Sequence, residues 1–211
     1  MKIVWHGHSC FEIEGRSTVV VDPHDGKSLG IKAPVARADI VLISHDHFDH
    51  NCARAIKGDF VTLKEPGKKE VRGVRVLGLP AFHDGSEGEK RGAVTIFKFE
   101  MDGITFCHCG DLGHELSDHQ VQAIGEVDFL FIPVGGVFTL DGNGAKRVIQ
   151  KIAPKVAVPM HFRYGGLSLS IQTLDCFLNG LPERKVLRVG NEVEVQPGDI
   201  PLETEYWIFS P

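Results

Sequence analysis

The stretch "ISHDHFDHN", Ile43 to Asn51, sets three histidines and two aspartates within six consecutive residues, directly after the apolar run "DIVLI". "ADIVLIS" reads as a strand buried on both faces, so the chain carries a cluster of metal-ligand side chains to the end of a core strand. In an extended segment His45 and His47 project to one side, with Asp46 and Phe48 on the other. The following "NCARAIKG" reads as a short helix stopped by Gly58. As the chain turns into it, Asp49 and His50 swing toward a neighbouring position. One loop at a strand-to-helix junction thus offers two pairs of ligands, enough to serve two ions. The bland alternative is a solvated loop whose histidines titrate near neutral pH. The HxHxDH spacing at such a junction speaks against it.

The rest of the chain suits a packed domain around that loop. Its 211 residues fit a single α/β domain, taken as 1–211, and apolar residues at 42% with charged residues at 24% give the balance of a globular protein. The formal charge of -5, with lysine and arginine scattered, lacks the basic footprint of a dedicated nucleic-acid binder. The amino terminus lacks the apolar core of a signal peptide, and no apolar run approaches the roughly 18 residues that span a bilayer. Five cysteines without a CxxC pair are a poor framework for disulfides or structural zinc, so they read as reduced packing residues in a cytoplasmic protein.

Short strands are expected at "KIVW", "CFEIE" and "STVVVD", then at "FVTL", "VRGVRVLGLP", "GAVTIFKFE" and "ITFCHCG", with "MDG" as a hairpin turn. "LSDHQVQAIGEV" predicts a helix with Ser117 as N-cap and Gln120 completing a capping box. "VDFLFIPV" and "KVAVPM" read as buried strands on either side of the helix "GNGAKRVIQKIAP". "SIQTLDCFLNG" reads as a helix capped by Ser170 and stopped by Gly180, and "KVLRVGNEVEVQPGD" as one or two terminal strands. This order suggests two packed sheets with helices on their outer faces and chemistry at the strand ends.

Three later stretches place a ligand-type residue just beyond an apolar strand: His83 in "LGLPAFHDG", Asp111 in "ITFCHCGDLGH" and His161 in "VAVPMHFRYG". Singly, each is as well explained as a structural histidine or a turn aspartate. Together they complete a set. "WHGHSCFEIEG", "VVVDP", "SHDHFDHN", "AFHDG", "CHCGDLGH", "VDFLFIPVGGVFTLD" and "PMHFRYG" stand in the order found in the metallo-β-lactamase-fold superfamily, and the chain most closely resembles its UlaG-like branch of metal-dependent hydrolases. The resemblance implies a four-layer αββα sandwich with a binuclear site. It assigns His45, His47 and His83 to one metal and Asp49, His50 and His161 to the other, with Asp111 between them. Nitrogen and oxygen donors of this kind suit zinc or manganese, with iron as an alternative. Di-iron oxygen-reducing relatives tend to carry Glu in place of His47, which favours hydrolysis here.

The expected activity is cleavage of a small anionic ester, a lactone or a phosphodiester, by a metal-activated hydroxide that Asp49 orients. Asp22, at the end of "TVVVD", is expected to support the site by accepting hydrogen bonds from a ligand imidazole or the loop backbone. His8, in the "GHS" signature of the UlaG-like branch, is a candidate substrate contact or proton donor. Arg163 is a candidate contact for a substrate anion. His108 with Cys107 and Cys109 reads as packing, and His6 and His24 acquire no role from the sequence. "GSEGEKRG", 85–92, reads either as a surface turn or as a mobile flap. The expected partner is a small molecule, with no membrane and no nucleic acid, and a homo-oligomer is left open. The competing readings are a nuclease of the same fold and a non-catalytic metal-binding or sensing protein. The second commonly lacks a ligand, whereas all seven are present here.

Overall fold

A computed structural model of the chain describes residues 1–210. Five strands come first: β1 (Lys2–Trp5), β2 (Phe11–Glu14), β3 (Thr18–Val21), β4 (Ile40–Leu42) and β5 (Val61–Leu63). Then follow β6 (Gly67–Val71), β7 (Val74–Phe82), β8 (Ala93–Met101) and β9 (Ile104–His108). Helix α1 (Asp118–Ile124), β10 (Phe129–Pro133), α2 (Gly142–Ile152), β11 (Val156–Met160) and α3 (Asp175–Leu178) alternate, and β12 (Val186–Arg188), β13 (Glu192–Glu194) and β14 (Glu205–Ile208) come last. A six-stranded sheet has the order β13-β1-β2-β3-β4-β5 and an eight-stranded sheet the order β12-β14-β11-β10-β9-β8-β7-β6.

Alternation along the strands builds the sandwich. Val19, Val21, Ile40 and Leu42 face the main core between the sheets, whereas Val20 and Val41 face a smaller outer cluster. From the other sheet Phe106 meets Phe99, Phe129 and Phe131 at ring-centroid distances of 5.2, 5.5 and 6.5 Å. Helix α2 covers this sheet with Ala145, Val148, Ile149 and Ile152, the positions that its spacing predicts. The αββα expectation therefore holds in its two sheets and helices. Over the six-stranded sheet, however, the outer cluster is closed by Ala36, Ala38 and Ile56 from irregular chain and a 3-10 turn.

Three local expectations change, and one strand was not foreseen. "VRGVRVLGLP" is not one strand but the corner and second arm of a hairpin: Arg72 and Gly73 both take positive φ, 51° and 75°, and fold β6 onto β7. Two successive left-handed residues suit the right-handed strand twist of a tight hairpin. "NCARAIKG" forms only the 3-10 turn Ala53–Ala55, because no side chain caps it and the Cys52 amide bonds Pro23 instead. "SIQTLDCFLNG" is helical only over Asp175–Leu178, since Gln172 bonds Gly135 through its amide and Arg163 through its carbonyl, bracing two loops. The tail contributes β12 and β13 to different sheets, and β14, at "EYWI", was not anticipated. The capping box of Ser117 and Gln120 is present as expected.

Chain direction sets up the site. β3 and β4 run parallel, as do β9, β10 and β11, and β7 points the same way as β9 because both are antiparallel to β8. The segments after β1, β3, β4, β7, β9 and β11 thus emerge at corresponding strand ends, the place where open α/β sheets bind ligands. Phe106→Ala should cost about 3–5 kcal/mol in urea unfolding. A loss under about 1 kcal/mol would mean that this aromatic stack does not hold the sheets together.

Candidate metal centre

Each emerging segment delivers one part of a buried cluster. Asp22 follows β3, His45 to His50 follow β4, His83 follows β7, Asp111 lies beyond β9 and His161 follows β11, while His8 lies between β1 and β2. A set of Asp22, His45 and His50 gathers its donor atoms within 4.8 Å and overlaps two further sets of the same span: His45, His47 and His83 form one of these, and His8, Asp49, His50 and His161 the other. Asp111 stands between them, with Oδ2 3.2 Å from His83 Nε2 and 3.1 Å from His161 Nε2, and Oδ1 3.2 Å from His50 Nε2. Asp46 and Phe48 are both exposed, but the loop after Leu42 is no longer a strand and alternation does not carry through it: Phe48 stands beside His47 and Asp49 on the wall of the adjoining cavity.

Asp22 organises two of these imidazoles. Its carboxylate is fully buried, accepts the Ser44 amide at 2.7 Å and the Ser44 hydroxyl at 2.6 Å, and accepts His50 Nδ1–H at 3.0 Å. Having given its proton to Asp22, Ser44 Oγ can only accept from His45 Nδ1–H, 2.9 Å away. On the other set, His83 Nδ1–H donates to the Phe138 carbonyl at 3.1 Å. In all three rings the proton on Nδ1 leaves the Nε2 lone pair facing Asp111.

Lone pairs facing a carboxylate repel unless a cation lies among them. His45 Nε2, His50 Nε2 and Asp111 Oδ1 are buried and have no hydrogen-bond partner, an arrangement that proteins avoid where nothing else satisfies the atoms. Burial pushes the His50 pKa down, but Asp111 and Asp22 outweigh it and raise the ring well above its ordinary value. Burial likewise pushes Asp111 up, and His161 and His50 reverse this and hold it well below the usual carboxylate range. Both directions describe a position that attracts positive charge. His45 is the contrast: burial and the neighbouring His50 hold its pKa down to about 3, so its lone pair stays available. The donor set is nitrogen and oxygen throughout and fits borderline divalent ions such as zinc or manganese.

Close backbone approaches hold these segments together. A Cβ on Gly113 would lie 2.3 Å from the His83 carbonyl carbon, and one on Gly135 would lie 2.1 Å from the His161 carbonyl oxygen. His8, Asp22 and His161 all take positive φ, at 54°, 48° and 53°. This conformation costs about 1 kcal/mol or more for a non-glycine residue and concentrates at functional sites. His24, which acquires no role from the sequence, and His108, expected only to pack, anchor the loop after β1. Each accepts a glycine amide at Nδ1, from Gly26 and Gly110, and donates from Nε2 to that loop, at the His6 and Ser9 carbonyls. His6 instead pairs with Glu12 at 2.7 Å.

Several expectations find a different setting here. His8 is fully buried and does not line the neighbouring cavity. Burial and the neighbouring His161 hold its pKa down to about 3, and the neutral ring donates Nε2–H to Asp49 Oδ2 at 3.1 Å. Arg163 is exposed and does not line the cavity; the arginine that does is Arg91, which sequence reasoning missed. Residues 85–92 form a tied loop, because Asp84 accepts the amides of Ser86, Gly88, Lys90 and Arg91 at 2.7 to 3.0 Å. Against the upward push of burial, these donors hold the Asp84 carboxyl down to about 2. The aspartate directly after a ligand-type histidine was the available signal. All five cysteines are free, and among the described residues no helix is long and apolar enough to cross a membrane.

Asp22→Ala should weaken divalent-metal affinity by about 10- to 100-fold, measured by competition with a chelator. Unchanged affinity would remove Asp22 from the support of the ligands. Asp84→Ala should speed amide exchange at Ser86, Gly88, Lys90 and Arg91 by about tenfold or more, since each loses a hydrogen bond to a charged group. Exchange at the wild-type rate would show that the loop is held by other contacts.

The geometry can be set beside known proteins. Residues 2–161 match the family described as the beta-lactamase superfamily domain. A UPF0173 metal-dependent hydrolase of Thermoplasma acidophilum is 32% identical over 188 residues, covering 77% of this chain and 83% of the relative. The crystal structure of a proposed Zn-dependent hydrolase of the metallo-β-lactamase superfamily from Thermotoga maritima superposes with a TM-score of 0.83 at 37% identity, covering 99% of this chain and 97% of that one. The diiron β-hydroxylase CmlA of Streptomyces venezuelae shares the fold alone, with a TM-score of 0.58 at 15% identity over 76% of this chain and 44% of that one. The donor set, its buried unpaired atoms and these matches agree: the chain belongs to the beta-lactamase superfamily, in its UPF0173 group of metal-dependent hydrolases.

Proposed function

We propose that this chain hydrolyses a small anionic ester, a lactone or a phosphodiester, at a binuclear centre. His45, His47 and His83 hold one ion, Asp49, His50 and His161 hold the other, and Asp111 serves both. The observation that carries this reading is the convergence of buried imidazole lone pairs on Asp111, with Asp111 Oδ1 itself unpaired. When bound, two divalent ions polarise the scissile carbonyl or phosphoryl oxygen and lower the pKa of a water toward neutrality. The amino-terminal "WHGHS" and "VVVDP" support placement in the UlaG-like branch.

The chain's own residues do the positioning. Asp49 orients the attacking water. Burial pushes its carboxyl up, but the neighbouring His50 ring and the hydrogen bond from His8 outweigh this and keep it ionised well below the usual range. His8 thereby acts through Asp49 and not on substrate. The Phe138 carbonyl and Asp22 fix the rings of His83 and His50 so that nothing need reorganise during the reaction. The adjoining cavity, about 250 Å³, has room for a small molecule, and the net charge of -5 without a basic stripe speaks against the nuclease reading.

The test is hydrolysis of bis(4-nitrophenyl) phosphate and of a γ-lactone by protein stripped of metal and then reloaded with manganese or zinc. Turnover should return with metal, and Asp111→Asn should lower it about 100-fold or more. Full activity in Asp111→Asn with both metals bound would refute the shared-ligand role. Protein shown to hold two metals that hydrolyses neither class would favour the non-catalytic reading.

A further inference from the structure

Four of the residues lining the cavity are not metal-ligand candidates: Phe48, Arg91, Phe138 and Leu169. Three are apolar and one is a cation, and they stand over a floor of histidine and aspartate. The Arg91 guanidinium carbon lies 4.3 Å from the centroid of the Phe138 ring. Stacking of this kind leaves the edge N–H groups of a guanidinium free for a carboxylate or phosphate-type oxyanion. Among the described residues no carboxylate takes up Arg91 in an ion pair, as holds also for Arg37, Arg54, Arg163, Arg184 and Arg188; what sets Arg91 apart is its place on the cavity wall, over the Phe138 ring.

Both halves of this contact are fixed to the metal-site segment. The Arg91 amide donates to Asp84 at 2.8 Å, and Asp84 follows His83 directly. The Phe138 carbonyl accepts His83 Nδ1–H. The turn that presents Phe138 carries Val137 at φ 59°, an outlier for a β-branched residue, closed by a Phe138 amide to Gly136 carbonyl bond of 2.5 Å. Val137 is 63% exposed and Phe48 57% exposed, so large apolar side chains are held in solvent on this side of the protein. Val137 gains no burial from this conformation, and the turn it forms sets Phe138 beside His83 and Arg91.

We infer that Arg91, stacked on Phe138, selects the substrate by receiving a carboxylate or phosphate-type anion remote from the scissile bond, while Phe48, Phe138 and Leu169 cover an aryl or alkyl body. The inference rests on the hydrolase reading and narrows it to small amphipathic anions. A bare inorganic anion or a neutral ester meets only part of this surface.

The test is calorimetric binding of phenylphosphonate and methylphosphonate to the metal-loaded protein and to its Arg91→Ala and Arg91→Lys variants. Any contact between phosphonate and metal is common to all of them. The wild type should bind phenylphosphonate several-fold more tightly than methylphosphonate. Arg91→Ala should weaken phenylphosphonate by about tenfold or more, with a smaller loss for Arg91→Lys, as expected for loss of a charge-assisted planar contact. Unchanged amide exchange at Ser86 and Gly88 would show that the loop survives the substitution. Equal affinity of wild type and Arg91→Ala, no preference for the phenyl compound, or no binding by the wild type would each overturn the inference. Arg91-dependent binding by a two-metal protein that hydrolyses no ester would support it and refute the hydrolase reading instead.

Discussion

Asp22 is a fully buried carboxylate whose oxygens are occupied by Ser44 and His50. An isolated buried charge would cost several kcal/mol, so its retention demands compensation, and the site supplies it by spreading the charge through Ser44 and two imidazoles. The carboxylate joins the end of β3 to the loop after β4 within the six-stranded sheet, and the imidazoles it orients reach across to Asp111 and His161, which come from the other sheet. If that charge were removed, the loop backbone, the ring tautomers and the register between the sheets at this end would lose a common reference. The left-handed backbone of Asp22 itself is held by the Leu42 carbonyl, which accepts its amide at 2.9 Å.

Around this hub the protein spends conformational freedom to bring loops within contact. Gly113 and Gly135 permit backbone approaches that any side chain would block, and His24 and His108 clamp the loop that carries His8. These histidines donate to carbonyls that would otherwise be buried without a partner. The same economy appears in the loop 85–92, where one carboxylate replaces the hydrogen bonds that a regular element would provide. The consequence is a rigid floor of donors beneath a wall built from two independent loops, one bearing Arg91 and the other Phe138.

Much of the fold was legible from pattern alone. The buried strands at Ile40–Leu42, Phe129–Pro133 and Val156–Met160 are continuous apolar runs, and α2 is amphipathic with its apolar stripe where the spacing puts it. What failed were elements whose ends are satisfied by distant chain. The segment after His50 and the one before α3 carry helix-like composition, yet their amides bond Pro23 and Gly135. The Arg72–Gly73 corner was missed because arginine is an unusual residue at a left-handed turn position.

Of the candidate site, the local cluster of His45, His47, Asp49 and His50 was legible in the sequence, because ligand-type residues set within six positions of one another at the end of a buried strand stay close together however the loop turns. The later ligand-type residues were visible as types at strand ends, and Asp22 as a support. Tertiary structure alone decided which atoms face which: that Asp111 turns Oδ2 to His83 and His161 and Oδ1 to His50, that His8 reaches Asp49 and not the cavity, and that Arg91 rather than Arg163 meets the cavity. Side-chain direction within a strand is a local property of the backbone. Distance between strand ends is set by the packing of two sheets, and no spacing along the chain encodes it.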